Sequence, residues 1–192
     1  MNRVAVLLVL AACAPRHVTI APPAPTLSPD QRVQYFMANE PTKTDSYFVS
    51  YDGGPKELTG QVLVLANRTE VDAPEDLLPL VGPDTATARA ARAAVDARRS
   101  RLVAIVTYYG LAAATLLSFD RRRDVVGVDH TYVTGGLAVG ALLGYLVERH
   151  YRYEENQQRA VAFSAYTRDL GDRLNVCAHG LQVIACEVPL PP

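Results

Sequence analysis

Two uncharged apolar runs, Leu102 to Phe119 and Val133 to Val147, flank a short charged loop that holds Arg121, Arg122 and Arg123. Nothing else constrains the fold as much, because apolar helices of this kind must be covered either by protein or by lipid. At about 1.5 Å per residue the runs measure about 27 Å and about 23 Å as helices, against roughly 30 Å of bilayer hydrocarbon. Phe119 and Tyr132 stand at the loop ends and Tyr145 and Tyr151 at the other, which suits aromatic side chains at two membrane–water interfaces. The stretch reads as a membrane-embedded helical hairpin; the alternative is a hairpin buried inside a soluble oligomer.

The second run places Gly136, Gly140 and Gly144 four residues apart. That spacing groups them on one face of a helix, where a second helix can approach closely and pack by van der Waals contact. The first run offers Gly110 and Ala114 in return, and antiparallel register puts Tyr108 or Tyr109 near the groove. Packing within the hairpin is the expected use, since the linked helix is at high effective concentration. Self-association through the same face competes with it.

Both runs belong to longer helices. Pro83-Asp84-Thr85 is a helix start, and Ala and Arg dominate Ala86 to Arg101 without a Gly or Pro before Leu102, which predicts one helix from about Asp84 to Phe119. A second helix is expected from about Thr131. Past Glu148-Arg149-His150 it becomes amphipathic, with Ala160, Phe163, Leu170 and Leu174 in one stripe, and Gly171 weakens its last turn. Ala88, Ala91 and Val95 should face that stripe.

Outside the helices the signals are weaker. Residues 31–82 read as a small mixed subdomain, with a strand at Ser46 to Tyr51, a turn at Asp52-Gly53-Gly54-Pro55, and a run from Gly60 to Ala66 that is either strand or helix. Pro74 and Pro79 interrupt the remainder of this region. Residues 14–30 are Pro-rich and aperiodic, as in an extended tether. Cys177 and Cys186 bracket a small loop in 176–192, the pattern of a disulfide-linked β-hairpin in an oxidising compartment. Metal binding is the poorer reading of this pair, because only His179 is nearby. The expected fold is mainly α: a long antiparallel hairpin over 83–175 with an apolar membrane-embedded tip, a small N-terminal α/β region and a C-terminal disulfide hairpin.

The N-terminus, MNRVAVLLVLAAC, combines Arg3, a short apolar core from Val4 to Leu10, and Leu10-Ala11-Ala12-Cys13. It has the charge, length and small residues of a secretory signal peptide. With cysteine directly after the small residues it resembles a bacterial lipoprotein signal. That resemblance implies removal of residues 1–12 and acylation of Cys13, a covalent palmitate-type lipid being the only cofactor expected. The glycine series resembles the glycine zipper of two-helix outer-membrane lipoproteins of the surface-antigen type. With Cys13 on the periplasmic face, two spans keep Cys177 and Cys186 on that face as well. Arg98, Arg99, Arg101, Arg149 and Arg152 flank the ends away from the loop, so the arginines give no positive-inside bias. Ala14, where lipoproteins retained in the inner membrane often carry an acidic residue, also favours the outer membrane. There Arg121, Arg122 and Arg123 would meet lipid phosphates.

A net charge of -1 argues against nucleic acid as a partner. The four His residues lie in four separate segments, His17, His130, His150 and His179. No catalytic motif surrounds them, and Asp129-His130 and Glu148 with His150 read as solvated or capping groups. The expectation is a non-enzymatic envelope protein whose partners are membrane lipid and either other envelope proteins or further copies of itself. A glycine-zipper pore is a second reading, though it has only Thr107, Thr115, Ser118 and Thr134 to line it. A periplasmic ligand-binding module in residues 31–81 is a third.

Overall fold

The computed structural model describes residues 15–49, 57–120, 130–179 and 182–186. The protein is mainly helical, and its chain divides into two compact units. One combines the segments up to Arg92 and from Gln158; the other is Ala93–Gln157. The strands within residues 57–71 and the C-terminal strand pair belong to the same unit as the outer ends of the two long helices, since neither segment has enough apolar surface to form a core alone.

In the first unit, helix α1 (Pro29–Asn39) begins with a reciprocal cap: Ser28 Oγ accepts from the Gln31 N–H at 3.3 Å, and Gln31 Oε1 accepts from the Ser28 N–H at 2.9 Å. Pro29 occupies the first turn, where a missing N–H costs nothing. Strands β1 (Pro41–Val49), β2 (Glu57–Leu65) and β3 (Glu70–Val71) form an antiparallel sheet in that order. Val62 to Leu65 therefore belongs to a strand, with Leu63 and Leu65 pointing into the core. A 3-10 turn at Pro74–Leu77 comes next.

Two long helices complete the architecture, α2 (Ala86–Asp120) and α3 (His130–Leu174). Phe36, Leu63, Leu65, Val71, Leu77, Leu80 and Ala88 pack with Phe163, Tyr166, Leu170 and Leu174 in one core. Ala88 and Ala91 are fully buried, as contact with that stripe requires, whereas Val95 is half-buried. Asp169 accepts from the Thr87 N–H at 2.6 Å, so a buried carboxylate meets the positive end of α2. The Tyr166 hydroxyl donates to the Asn39 carbonyl at 3.0 Å, and burial, reinforced by the Tyr35 phenol, raises its pKa further above the usual tyrosine range.

Residues from Arg16 to Leu27, expected to be a free tether, lie against this unit. Asp76 accepts the Val18 N–H at 2.8 Å and lies 2.9 Å from His17 Nδ1, while the Tyr35 hydroxyl donates to the Ala21 carbonyl at 2.5 Å. Val18, Ile20 and Leu27 pack on the core. These widely spaced apolar residues give an extended chain three side chains to bury, so it docks despite its proline content.

Asn175, at φ 52°, ends α3 in the left-handed conformation. Strands β4 (Val176–His179) and β5 (Gln182–Ala185) then pair, and Cys177 and Cys186 form a disulfide with their Cα atoms 5.3 Å apart. The helix continues through Gly171, where the surroundings leave little room for a side chain. A Cβ would lie 3.3 Å from the Val176 carbonyl oxygen and 3.6 Å from the Phe36 ring. Replacing both cysteines by serine is expected to destabilise this unit by about 2–3 kcal/mol, the loop-closure value for so short a link. Thermal unfolding of the oxidised protein against the double variant tests this.

Candidate membrane hairpin

In the unit Ala93–Gln157, α2 and α3 meet along a seam of small and polar residues. On α2 the residues turned toward α3 include Arg101, Ala104, Tyr108 and Leu111, at a spacing of three and four, and Ser118 one heptad further on. On α3 the positions Thr134, Ala141, Glu148 and Glu155 recur every seven residues and are buried or half-buried. This is the heptad geometry of two helices crossing at a shallow angle.

Close approach depends on two of the glycines. A Cβ at Gly144 would lie 3.2 Å from Tyr108 Cα, and one at Gly140 would lie 3.1 Å from Leu111 Cδ1. Tyr108, rather than Tyr109, therefore fills the groove, and its ring lies 5.9 Å from that of Tyr145. Gly136 and Gly110 take no part in this contact, since a Cβ at either would meet nothing within 4 Å. Ala114 is half-buried. Residues four apart advance about 400° on an α-helix, so each step drifts about 40° from the last. The glycine series thus winds out of the seam, and Gly110, two residues from Tyr108, falls on the far side of α2.

The Ser and Thr hydroxyl groups within the apolar runs all have partners in the chain. Thr107 donates to the Val103 carbonyl at 2.9 Å, Thr115 donates to the Leu111 carbonyl at 2.8 Å, and Ser118 and Thr134 bond each other across the helices at 2.8 Å. Large apolar side chains point the other way, and Val103, Leu116, Leu117 and Leu142 are more than half exposed. Within the most apolar window of each helix, 6% of α2 and 17% of α3 is buried.

Beyond Leu102 and Val147 the seam becomes ionic. Arg98 Nε donates to Glu155 Oε1 at 3.0 Å, Arg101 Nη1 to Glu155 Oε2 at 3.2 Å, and Arg101 Nε to Glu148 Oε1 at 2.9 Å. Arg152 Nε lies 3.9 Å from the same Glu148 oxygen. The Glu155 side chain is 4% exposed and that of Glu148 12%. Glu148 is thus an interhelix partner and not the solvated or capping group expected, while His150 is exposed beside Glu154. Read only as flanking charge, these arginines conceal the network; its signal is the opposition of Arg98 and Arg101 on α2 to Glu148 and Glu155 on α3.

Comparison of the chain with protein-family models, with curated protein sequences and with solved structures gives no match. Among the described residues no three His, Cys, Asp or Glu side chains converge as a metal cage. Cys13, the arginines from Arg121 to Arg123, Asp129 and the turn Asp52 to Pro55 lie outside the described residues. The helical geometry shows two helices long and apolar enough to cross a membrane.

Proposed function

We propose that this chain is a lipid-anchored protein of the bacterial cell envelope, acylated at Cys13, with its two-helix hairpin embedded in the membrane. Its role is structural: it holds or assembles other envelope components and catalyses no reaction. The observation that carries this reading is the inverted polarity of the central unit. Small and hydrogen-bonded groups face inward and large apolar side chains outward, as lipid demands and water disfavours. The outer membrane is the preferred location, with Arg121, Arg122 and Arg123 set to meet lipid phosphates. The pore reading is disfavoured because Thr107, Thr115, Ser118 and Thr134 are already satisfied within the chain and leave few polar groups to line a water path.

Membrane fractionation with alkali extraction tests the proposal, with wild type compared to Cys13→Ala. Wild type should incorporate labelled palmitate and stay in the outer-membrane fraction. Cys13→Ala should lose the label yet resist alkali extraction, because one acyl chain contributes only marginal affinity and the hairpin supplies the remainder. Release of Cys13→Ala as a soluble monomer would overturn the embedded hairpin, and an unlabelled wild type would overturn the lipid anchor.

A further inference from the structure

We infer that β1 is a self-pairing edge through which two copies of this chain join their sheets. The strand borders the three-stranded sheet, with β2 on one side and, among the described residues, no strand on the other. Thr42, Lys43, Thr44, Ser46, Tyr47 and Phe48 are all exposed. Irregularities in the β1–β2 register confine the regular strand to Lys43 through Tyr47. An open edge of this kind accepts another strand unless its charges forbid it.

Here the charges select one partner and one register. Lys43 and Asp45, the only charged residues in β1, already attract each other at 2.8 Å. In an antiparallel pairing of two copies about a two-fold axis at Thr44, Lys43 lies opposite the second copy's Asp45 and Asp45 opposite its Lys43. A register centred at residue 43 puts Lys on Lys, one centred at 45 puts Asp on Asp, and one centred at 46 leaves both without a charged partner. Thr44 is therefore the one centre within the regular stretch that matches both charges, and a two-fold axis makes each match occur twice. This inference is independent of the membrane reading, since it concerns only the first unit.

Sedimentation of the full chain in detergent, with Lys43→Asp, Asp45→Lys and the exchanged double variant Lys43→Asp/Asp45→Lys, tests it. Each single reversal places like charges opposite one another twice, and self-association should weaken at least about tenfold. An equimolar mixture of the two single variants should recover wild-type affinity as a heterodimer. The exchanged double variant should recover it as a homodimer, so loss through misfolding is separated from loss of pairing. A monomeric wild type, single variants that associate like wild type, or an exchanged variant that stays monomeric would each overturn the inference.

Discussion

Replacing Glu155 by alanine is expected to lower the unfolding temperature of the protein by roughly 6–20 °C. The carboxylate accepts from both Arg98 and Arg101, and its side chain is 4% exposed. Such a group contributes little net stability when intact, because desolvation offsets most of the attraction, yet removing one member leaves positive charge without its compensation. Breaking a buried pair in this way costs about 3–5 kcal/mol. Arg101 keeps Glu148 and is 28% exposed, which favours the lower half of that range. At about 2–4 °C per kcal/mol for a chain of this length, that cost corresponds to the expected shift. Glu155→Gln preserves an acceptor and should lose less. Exchanging Arg98 for methionine together with Glu155 for leucine should recover much of the loss, since no buried charge then loses its partner at these two positions. A shift under about 2 °C for Glu155→Ala would mean that the network is solvated and does not fix the helices.

The same network shows how far the fold could be read from residues alone. Apolar continuity marked both long helices, because a run without Gly, Pro or charge leaves few alternatives. The Ser28-Pro29-Asp30-Gln31 start of α1 carries capping chemistry, but the proline-rich context before it reads as a tether, and no helix was expected there. The seam between the helices was harder to see. Contact faces are ordinarily marked by apolar residues, whereas here that face carries mainly Ala, Gly, Thr, Arg and Glu, with Tyr108 and Leu111, while most of the leucine and valine side chains point outward. Heptad spacing of Thr134, Ala141, Glu148 and Glu155 contained the signal, in the polar and small residues. Assignment of Arg98 and Arg101 to interhelix pairing also alters their role: they fix two helices against each other at the ends of the apolar runs, while Arg152 approaches Glu148 along α3 itself. The docking of Arg16 to Leu27 depends on carboxylates far away in sequence, at Asp72 and Asp76, and local sequence patterns carry no information about such pairs.

Gly144→Ile and Gly136→Ile should differ sharply, although the two glycines belong to one evenly spaced series. At Gly144 a side chain would meet Tyr108 at the backbone, with the Cα at 3.2 Å and the nitrogen at 3.4 Å, and neither atom can move without the helix. The helices must part, with an expected cost of about 1–3 kcal/mol from overpacking, and the separation should reach the Ser118–Thr134 contact. At Gly136 the added atoms enter open space, so stability in detergent should change by less than about 0.5 kcal/mol, as at an ordinary surface site. Thermal unfolding measures the first quantity. The rate of intramolecular disulfide formation in a Ser118→Cys/Thr134→Cys background, with Cys13 removed, measures the second and should fall for Gly144→Ile alone. Equal losses at both positions would mean that Gly136 also lies in a packed interface, and a second copy of the hairpin would then be the first candidate to cover it. Unequal losses would limit the intramolecular seam to Gly140 and Gly144 and leave the outer face of the hairpin to lipid.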